Sequence, residues 1–475
     1  MLRVLYNLAW GLILPAALAR LAWRARKEPG YLRHVGERLG RYEGLPTQGP
    51  WIWVHAVSVG ETRAAQPLIA RLLAAYPGHR IVLTHMTPTG RQTGAELFGA
   101  EMATDPPRLV QCYLPYDVPA LVRRFLAHFR PEAGMLMETE VWPNLVRGAR
   151  LAGVPLYLVN ARLSPRSFRR TARFGRAAAA MYADFTEVLA QTQGDAERFR
   201  ALGVAAVRVT GNLKFDMQPS AEQIERGQRL RRAFGTRPVL AAASTREGEE
   251  AMLLDALSRW RKLCGDVWGK GSGDERPPAL LLVPRHPQRF DAVAAMVTQT
   301  GFTLQRRSAL DEDGLDCPIE ADVLLGDSMG EMAMYFAASD VAFIGGSLLP
   351  LGGQNLIEAC AVGTPVLIGP HTFNFAQATD DAIAAGACLR IDSAEQLMHT
   401  AAVLLSDRER LARMQTQARA FAGEHRGATA RTVEALVPAL PAPAQAPTPP
   451  TPAGHAGHAG HAADGSAPPH SEGTR

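Results

Sequence analysis

Past Pro50 the chain alternates between short, unbroken apolar runs and longer stretches of helical periodicity. In the first half the runs are Trp51–His55 (WIWVH), Ile81–Thr84, Gly134–Met137, Pro155–Val159, Val188–Ala190 and Val207–Thr210. In the second half they are Pro238–Ala243 (PVLAAA), Leu280–Val283, Asp322–Leu325, Val341–Ile344 and Val366–Ile368. They are rich in Val, Ile and Leu and mostly do not alternate, the pattern of parallel strands covered on both faces. Helix-like segments separate many of them, so the predicted class is α/β with open, doubly wound sheets. There are too many strands for one comfortable sheet. Apolar periodicity lapses in FDMQPSAEQIE, Phe215–Glu225, and the boundary between two Rossmann-like domains is placed there. Ligands of such sheets bind beyond the carboxyl ends of the strands, and two facing domains leave a cleft.

The two ends of the chain follow other patterns. Leu5–Trp23 is a 19-residue stretch broken only by Asn7, Gly11, Pro15 and Arg20, and Arg24, Arg26, Lys27, Arg33, Arg38 and Arg41 follow it. Positive charge after the apolar run is the reverse of a cleaved signal peptide. It predicts a membrane anchor, with the body on the positive, cytoplasmic side. The marginal length and Arg20 leave both a spanning and an in-plane helix open. With one long apolar run, a polytopic membrane protein is excluded. Residues 441–475 contain eight Pro, five Gly and four His and no Val, Ile, Leu, Met, Phe, Trp, Tyr or Cys. Such a segment cannot bury enough apolar surface to offset its ordering entropy, so a disordered tail is expected. The expected organisation is residues 1–27 as anchor and basic flank, 28–215 and 216–440 as the two domains, and 441–475 as tail. Gly265–Pro278 (GDVWGKGSGDERPP) is expected to be a surface loop without chemistry.

Composition narrows the class further. The 475 residues carry a net charge of +5 and are 47% hydrophobic, which suits a large globular core. The five cysteines, Cys112, Cys264, Cys317, Cys360 and Cys388, form no CxxC or zinc spacing and suggest buried thiols in a reducing compartment.

Candidate chemistry clusters just after the predicted strands. In HAVSVGET, His55–Thr62, Glu61 falls in the first turn of a helix, where the dipole favours a carboxylate. It is either an ordinary first-turn acid or a positioned general base. METEVWPNL, Met137–Leu145, puts Glu138 and Glu140 where a buried strand leaves the core, with Pro143 opening the next helix. NARLSPRSFRRTARFGR carries Arg162, Arg166, Arg169, Arg170, Arg173 and Arg176, either a solvated basic face or a set of phosphate ligands. GNLKFD places Lys214 at the domain crossover, suited to stabilising a leaving phosphate.

In the second half, ASTREGEE follows a strand, with Ser244 or Thr245 expected to cap the next helix. VPRHPQRF puts Pro284, Arg285 and His286 at a strand end, and GDSMGEM does the same for Met329, Gly330 and Glu331. Gly345–Phe375 holds two glycine pairs that let backbone approach a ligand, then a helix expected near Asn355 bearing Glu358. A nucleotide would set its phosphate against Arg285 and the glycine-rich loop, and its ribose diol against Glu358. There is no GxxxxGK[ST] loop and no GxGxxG after the first strand. No metal constellation stands out in the body, and no RNP, KH or zinc-finger signature supports nucleic-acid binding. The tail repeat at His455, His458 and His461 is either a metal ligand set or low-complexity sequence.

Taken together, from Met1 to about Glu424, these motifs resemble the 3-deoxy-D-manno-octulosonic acid (Kdo) transferases of Gram-negative bacteria. The resemblance also takes in THMTPTG (Thr84–Gly90), YLPYD (Tyr113–Asp117) and GPHTFNF. It implies a GT-B fold, two Rossmann-like domains facing a cleft, and transfer of Kdo from CMP-Kdo to the lipid A precursor with inversion and without a metal or other cofactor. It implies Glu61 as general base and Glu138 and Lys214 as transition-state support. It implies CMP contacts from Pro284, Arg285, Met329, Gly330, Glu331, Asn355, Leu356, Ile357 and Glu358. It also implies location at the cytoplasmic face of the bacterial inner membrane, in contact with its lipid. Arg162, Arg166, Arg169, Arg170 and Arg173 are expected to meet the acceptor phosphates. Gln354 before Asn355, Leu356 in place of a usual proline and Arg246 in place of a histidine depart from the family pattern. Another nucleotide-sugar enzyme of the same fold, a membrane-anchored scaffold and a nucleic-acid binder remain as competing functions.

Overall fold

The computed structural model describes residues 2–26, 28–47, 49–264 and 277–440. The expected tail and most of the Gly265–Pro278 loop lie outside the described residues. A helix, Leu2–Ala25, precedes the first sheet.

That sheet contains β1 (Trp51–His55), β2 (Arg80–His85), β3 (Leu109–Tyr113), β4 (Ala133–Met137), β5 (Leu156–Ala161), β6 (Glu187–Ala190) and β7 (Val207–Val209). All pairings are parallel, in the order β3-β2-β1-β4-β5-β6-β7. The second sheet contains β8 (Val239–Thr245), β9 (Ala279–Pro284), β10 (Leu304–Arg306), β11 (Val323–Leu325), β12 (Val341–Ile344), β13 (Val366–Ile368) and β14 (Cys388–Arg390). It is parallel too, in the order β10-β11-β9-β8-β12-β13-β14. Each sheet separates two apolar clusters, one on each face, which is why central strands such as β1 and β4 are buried at every position. Even its tryptophans are enclosed, and Trp53 Nε1 satisfies itself on Thr84 Oγ1 at 2.9 Å. Two doubly wound domains are the GT-B arrangement that the resemblance implies.

Strand order reverses between β1 and β4 in one sheet and between β8 and β12 in the other. Those reversals open a crevice at the carboxyl ends of the strands. The loops that leave these four strands carry Glu61, Glu138, Arg246 and the Gly345–Gly346 pair.

Three strands were not among the predicted runs: β3, β10 and β14. Each is a sheet edge. LQR and CLR are very short and partly exposed, whereas β3, LVQCY, is mostly buried but has its apolar run broken by Gln111.

The chain crosses between domains twice. The turn Leu213–Asp216 leads out, and Asp216 accepts from the backbone N–H of Gly427 at 2.6 Å and of Thr429. The helix Ala428–Leu436 then returns to the first sheet, where Ala428, Val433 and Leu436 join the core of Ile52, Val54 and Leu68. The span 216–440 therefore includes a closing helix packed on the other domain.

Candidate active site

Ser58 caps the helix Val59–Ala75, and Glu61 stands three residues on. Its carboxylate folds back, accepting from Val57 N–H at 2.7 Å and from the Ser58 hydroxyl at 3.2 Å. This is a variant of the capping box, with the acid bonded one residue upstream of the cap. Burial pushes the Glu61 pKa up to about 7, outweighing the Val57 N–H that stabilises the anion; Glu138 and Glu140 push it the same way. The loop beneath it is held from β2. His85 donates Nδ1–H to Ala56 O at 2.9 Å, and Thr87 Oγ1 donates to Val57 O at 3.0 Å. Burial drives the His85 pKa down to about 4, so the ring is neutral and Nδ1 carries the proton. The THMTPTG motif thus acts as support for the Glu61 loop.

Glu138 is the first residue beyond β4 and adopts a left-handed backbone, φ 57°. Its carboxylate meets Lys214 Nζ at 2.9 Å, in a pair that is mostly shielded from water. Lys214 is carried by the Leu213–Asp216 turn, which Asn160 fastens by accepting from Leu213 N–H at 3.0 Å. The Lys214 ammonium also sits 5.2 Å from the centre of the Phe375 ring, so it touches both domains. Neighbouring Glu140 accepts from Trp142 Nε1 at 2.7 Å, and burial raises its pKa.

On the other side of the cleft the helix begins at Glu249, later than the predicted cap. Thr245 belongs to β8 and Ser244 has φ 57°, so neither residue caps it. Glu249 is fully buried and accepts from the N–H groups of Gly346 (2.6 Å), Leu348 (3.1 Å) and Arg246 (2.9 Å). Glu250, equally buried, takes the Thr245 hydroxyl at 2.9 Å and pairs with Arg289. Glu249 therefore fixes the glycine-rich loop to the segment after β8, and Glu250 ties the end of β8 to Arg289. Gly345 is required there, because a Cβ would lie 2.6 Å from Ser244 O and Thr245 Cα.

Glu358 lies in the first turn of the helix Ile357–Val362, and its Oε1 accepts from Asn355 Nδ2 at 2.9 Å. Burial raises its pKa, while Arg63, Arg285 and Lys214 act in the opposite direction. Arg285 follows β9; its pKa is lowered by burial first and then by Arg246, with Arg63 adding to the effect and Glu358 opposing it. Among the described residues, the side chains of Arg63, Arg246 and Arg285 make no hydrogen bond and no ion pair within 4 Å. Arg63 and Arg285, one from each domain, act on Glu358, and Arg246 acts on Arg285; the three guanidinium groups offer unused donors of the kind that bind an anion. Arg63 was not among the predicted site residues. Its only signal was its place in GETR, two positions beyond Glu61.

The other predicted residues are dispersed in role. Pro284 ends β9. Met329 is exposed, and Gly330 O accepts from Gln223 Nε2 at 2.6 Å. Glu331 is bound by Arg226 at 2.9 Å and Arg307 at 3.0 Å, which leaves it a loop-holding role. Leu356 and Ile357 are packed into the core and offer a ligand only backbone. Arg166, Arg169 and Arg170 on the helix Pro165–Ala172, and Arg173 just past it, are exposed beside an exposed Phe174. Arg162 stands apart from them: it reaches across to donate to Asn374 O of the second domain at 2.5 Å. Among the described residues no cluster of three His, Cys, Asp or Glu is arranged to hold a metal.

Comparison with known proteins agrees with this geometry. Residues 33–217 match the family model for 3-Deoxy-D-manno-octulosonic-acid transferase (kdotransferase). The chain is 47% identical over 428 residues to the 3-deoxy-D-manno-octulosonic acid transferase of Bordetella pertussis, covering 88% of this chain and 96% of the relative. It is 34% identical over 438 residues to that of Haemophilus influenzae, covering 90% and 96%. The crystal structure of UDP-GlcNAc 2-epimerase from Neisseria meningitidis bound to UDP-GlcNAc superposes with a TM-score of 0.54 at 14% identity, over 82% of this chain and all of that one; it shares the fold. Sequence likeness extends through both domains, and the chain belongs to the 3-deoxy-D-manno-octulosonic acid transferase family.

Proposed function

We propose that the enzyme transfers Kdo from CMP-Kdo to lipid IVA, the lipid A precursor, in a single inverting displacement. The observation that carries this reading is the pairing of a carboxylate poised near neutrality, Glu61, with an arginine-rich anion receptor across the cleft. In the proposed step an acceptor hydroxyl gives its proton to Glu61 as its oxygen bonds to the anomeric carbon. The bond from that carbon to the phosphate oxygen breaks, and CMP leaves with the electron pair. One base on one domain and one leaving-group site on the other suit attack from the face opposite departure, which is inversion.

Lys214 and Arg285 carry positive charge to the departing phosphate, and Glu138 orients Lys214. Around CMP, Pro284, Arg285, Asn355 and Glu358 supply contacts, with Glu358 on the ribose diol and the Met329–Glu331 loop alongside. Leu356 and Ile357 contribute through backbone alone. Exposed Arg166, Arg169, Arg170 and Arg173 receive the acceptor phosphates, whereas Arg162 ties the domains together. The product enters the inner core of lipopolysaccharide, and the enzyme works at the cytoplasmic face of the inner membrane.

The test is product mass after incubation of detergent-solubilised enzyme with lipid IVA and CMP-Kdo supplied by a generating enzyme. Gain of one or more Kdo units by the wild type, lost in Glu61→Ala, is the expected outcome. A folded, CMP-binding enzyme that adds no mass would sink the proposal.

A further inference from the structure

The N-terminal helix Leu2–Ala25 is 24 residues long, and its segment Val4–Ala25 is apolar enough to cross a membrane by composition. At about 1.5 Å per residue it could just traverse a ~30 Å hydrocarbon core, so length alone decides nothing. Its contacts are more informative. Tyr6 donates its hydroxyl to Asp117 Oδ2 at 2.8 Å, and Asn7 Oδ1 accepts from Asn144 Nδ2 at 2.7 Å. Further along, Trp10 and Leu21 are buried against Tyr116 and Leu121, with Leu14 and Leu18 packed between them. Tyr6, Asn7, Trp10, Leu14, Leu18 and Leu21 form one helical stripe, so the helix is docked on the first domain from its second turn to its last.

The partners on the domain are fixed. Asp117 is almost wholly buried and also accepts from the N–H groups of Asn144 at 3.0 Å and Leu145 at 2.7 Å, at the start of the helix Pro143–Leu151. A spanning helix would have to carry Tyr6 and Asn7 to the far side of the bilayer and break both the Tyr6–Asp117 and the Asn7–Asn144 bonds. Meanwhile the opposite face is open. Val4, Leu5, Leu8, Leu12, Ile13 and Trp23 are from 43% to 82% exposed. Arg20, Arg24 and Arg26 are exposed around Trp23 at the C-terminal end.

We infer that this helix lies in the plane of the membrane as the lipid-facing edge of the first domain, and that it does not cross the bilayer. The occupant of its open face is an anionic phospholipid surface. Leucines enter the acyl boundary, Trp23 sits at headgroup level, and the arginines meet lipid phosphates. The choice of lipid as occupant rests on the membrane-face reading above; the docking itself does not.

Two readouts on the full chain separate these parts, and neither uses activity. In the first, Asn7→Cys and Asn144→Cys are combined and treated with a short bifunctional thiol reagent after binding to phosphatidylethanolamine–phosphatidylglycerol vesicles. A linkage between the peptides bearing positions 7 and 144, absent from either single variant, is expected in the vesicle-bound fraction. Its absence there overturns the docking. In the second, Leu5, Leu8 and Leu12 are changed together to Gln; all three are exposed, so the domain keeps its fold and its cross-link. Vesicle partitioning is expected to drop by roughly tenfold or more. Unchanged partitioning, or an open face occupied by a second copy of the chain in solution, overturns lipid as the occupant.

Discussion

If Glu61 is the base, only its anion is active, and kcat/KM must climb with pH through the Glu61 pKa near 7. About one tenth of the enzyme carries the anion at pH 6 and about nine tenths at pH 8, so the rate should change by about tenfold between them. Two variants should move this limb in opposite directions. Ser58→Ala removes the hydroxyl that donates to Glu61 at 3.2 Å, so the anion loses support and the limb moves up by on the order of half a unit. The same change deletes the helix cap, at a stability cost of about 1 kcal/mol. Glu138→Gln removes a negative charge that raises the Glu61 pKa and also releases Lys214 from its 2.9 Å pair, so the limb moves down by on the order of one unit. The assay is initial rate of product formation from pH 5.5 to 9, with each profile normalised to its own plateau. Acceptor phosphates titrate in the same region, but their pKa values do not respond to Ser58 or Glu138. A limb that stays fixed in both variants, or that persists in Glu61→Gln with little loss of rate, would refute the assignment of the base.

Other consequences are measurable separately. Glu61→Gln should lower kcat by roughly a hundredfold or more while leaving CMP affinity unchanged, as read by calorimetry. Arg63→Ala and Arg285→Ala should each weaken CMP binding by about tenfold, with a shallower salt dependence than the wild type; CMP titrations at two ionic strengths check this. Glu249→Ala leaves three N–H groups without an acceptor, those of Gly346 and Leu348 buried and that of Arg246 half-buried, and should cost roughly 3 kcal/mol, seen as a lower urea midpoint for the second domain. In Gly345→Ala the new methyl meets Ser244 O and Thr245 Cα at 2.6 Å, so loss of CMP binding is expected even where the chain still folds.

The central strands were legible because they are buried on both faces and hence uniformly apolar, as WIWVH and AGMLM are. β10 and β14 were not, because three-residue, partly exposed strands carry little apolar signal, and β3 was not because Gln111 interrupts its buried run. Within the site, Glu61, Glu138, Lys214, Arg285 and Glu358 could be picked out because each follows a strand or opens a helix. Arg63 could not, since its position is explained only by what lies opposite it in another domain. Glu249 and Glu250 fell within the helix expected to be capped by Ser244 or Thr245, with nothing to mark them out, yet they are buried acceptors for backbone and hydroxyl groups. A carboxylate that holds a loop and one that acts on substrate look the same in one dimension. Arg162 similarly shared its composition with the basic helix beside it, but its partner, Asn374 O, lies 212 residues away.

The return of Ala428–Leu436 to the first sheet makes the second domain an insertion within the first. The order of synthesis then differs from the order of completion. The first sheet and the helix Val59–Ala75 that covers Ile52 and Val54 are made early, but the outer side of that helix gains Ala428, Val433 and Leu436 only when the final helix emerges. A truncation before residue 428 would therefore damage the domain farthest away in sequence, the one that bears Glu61. An exchange of the whole inserted segment, with both junctions kept, would leave that domain closed. The architecture thus permits the inserted second domain to be replaced as a cassette, while the half that carries Glu61 and the N-terminal helix remains a single unit.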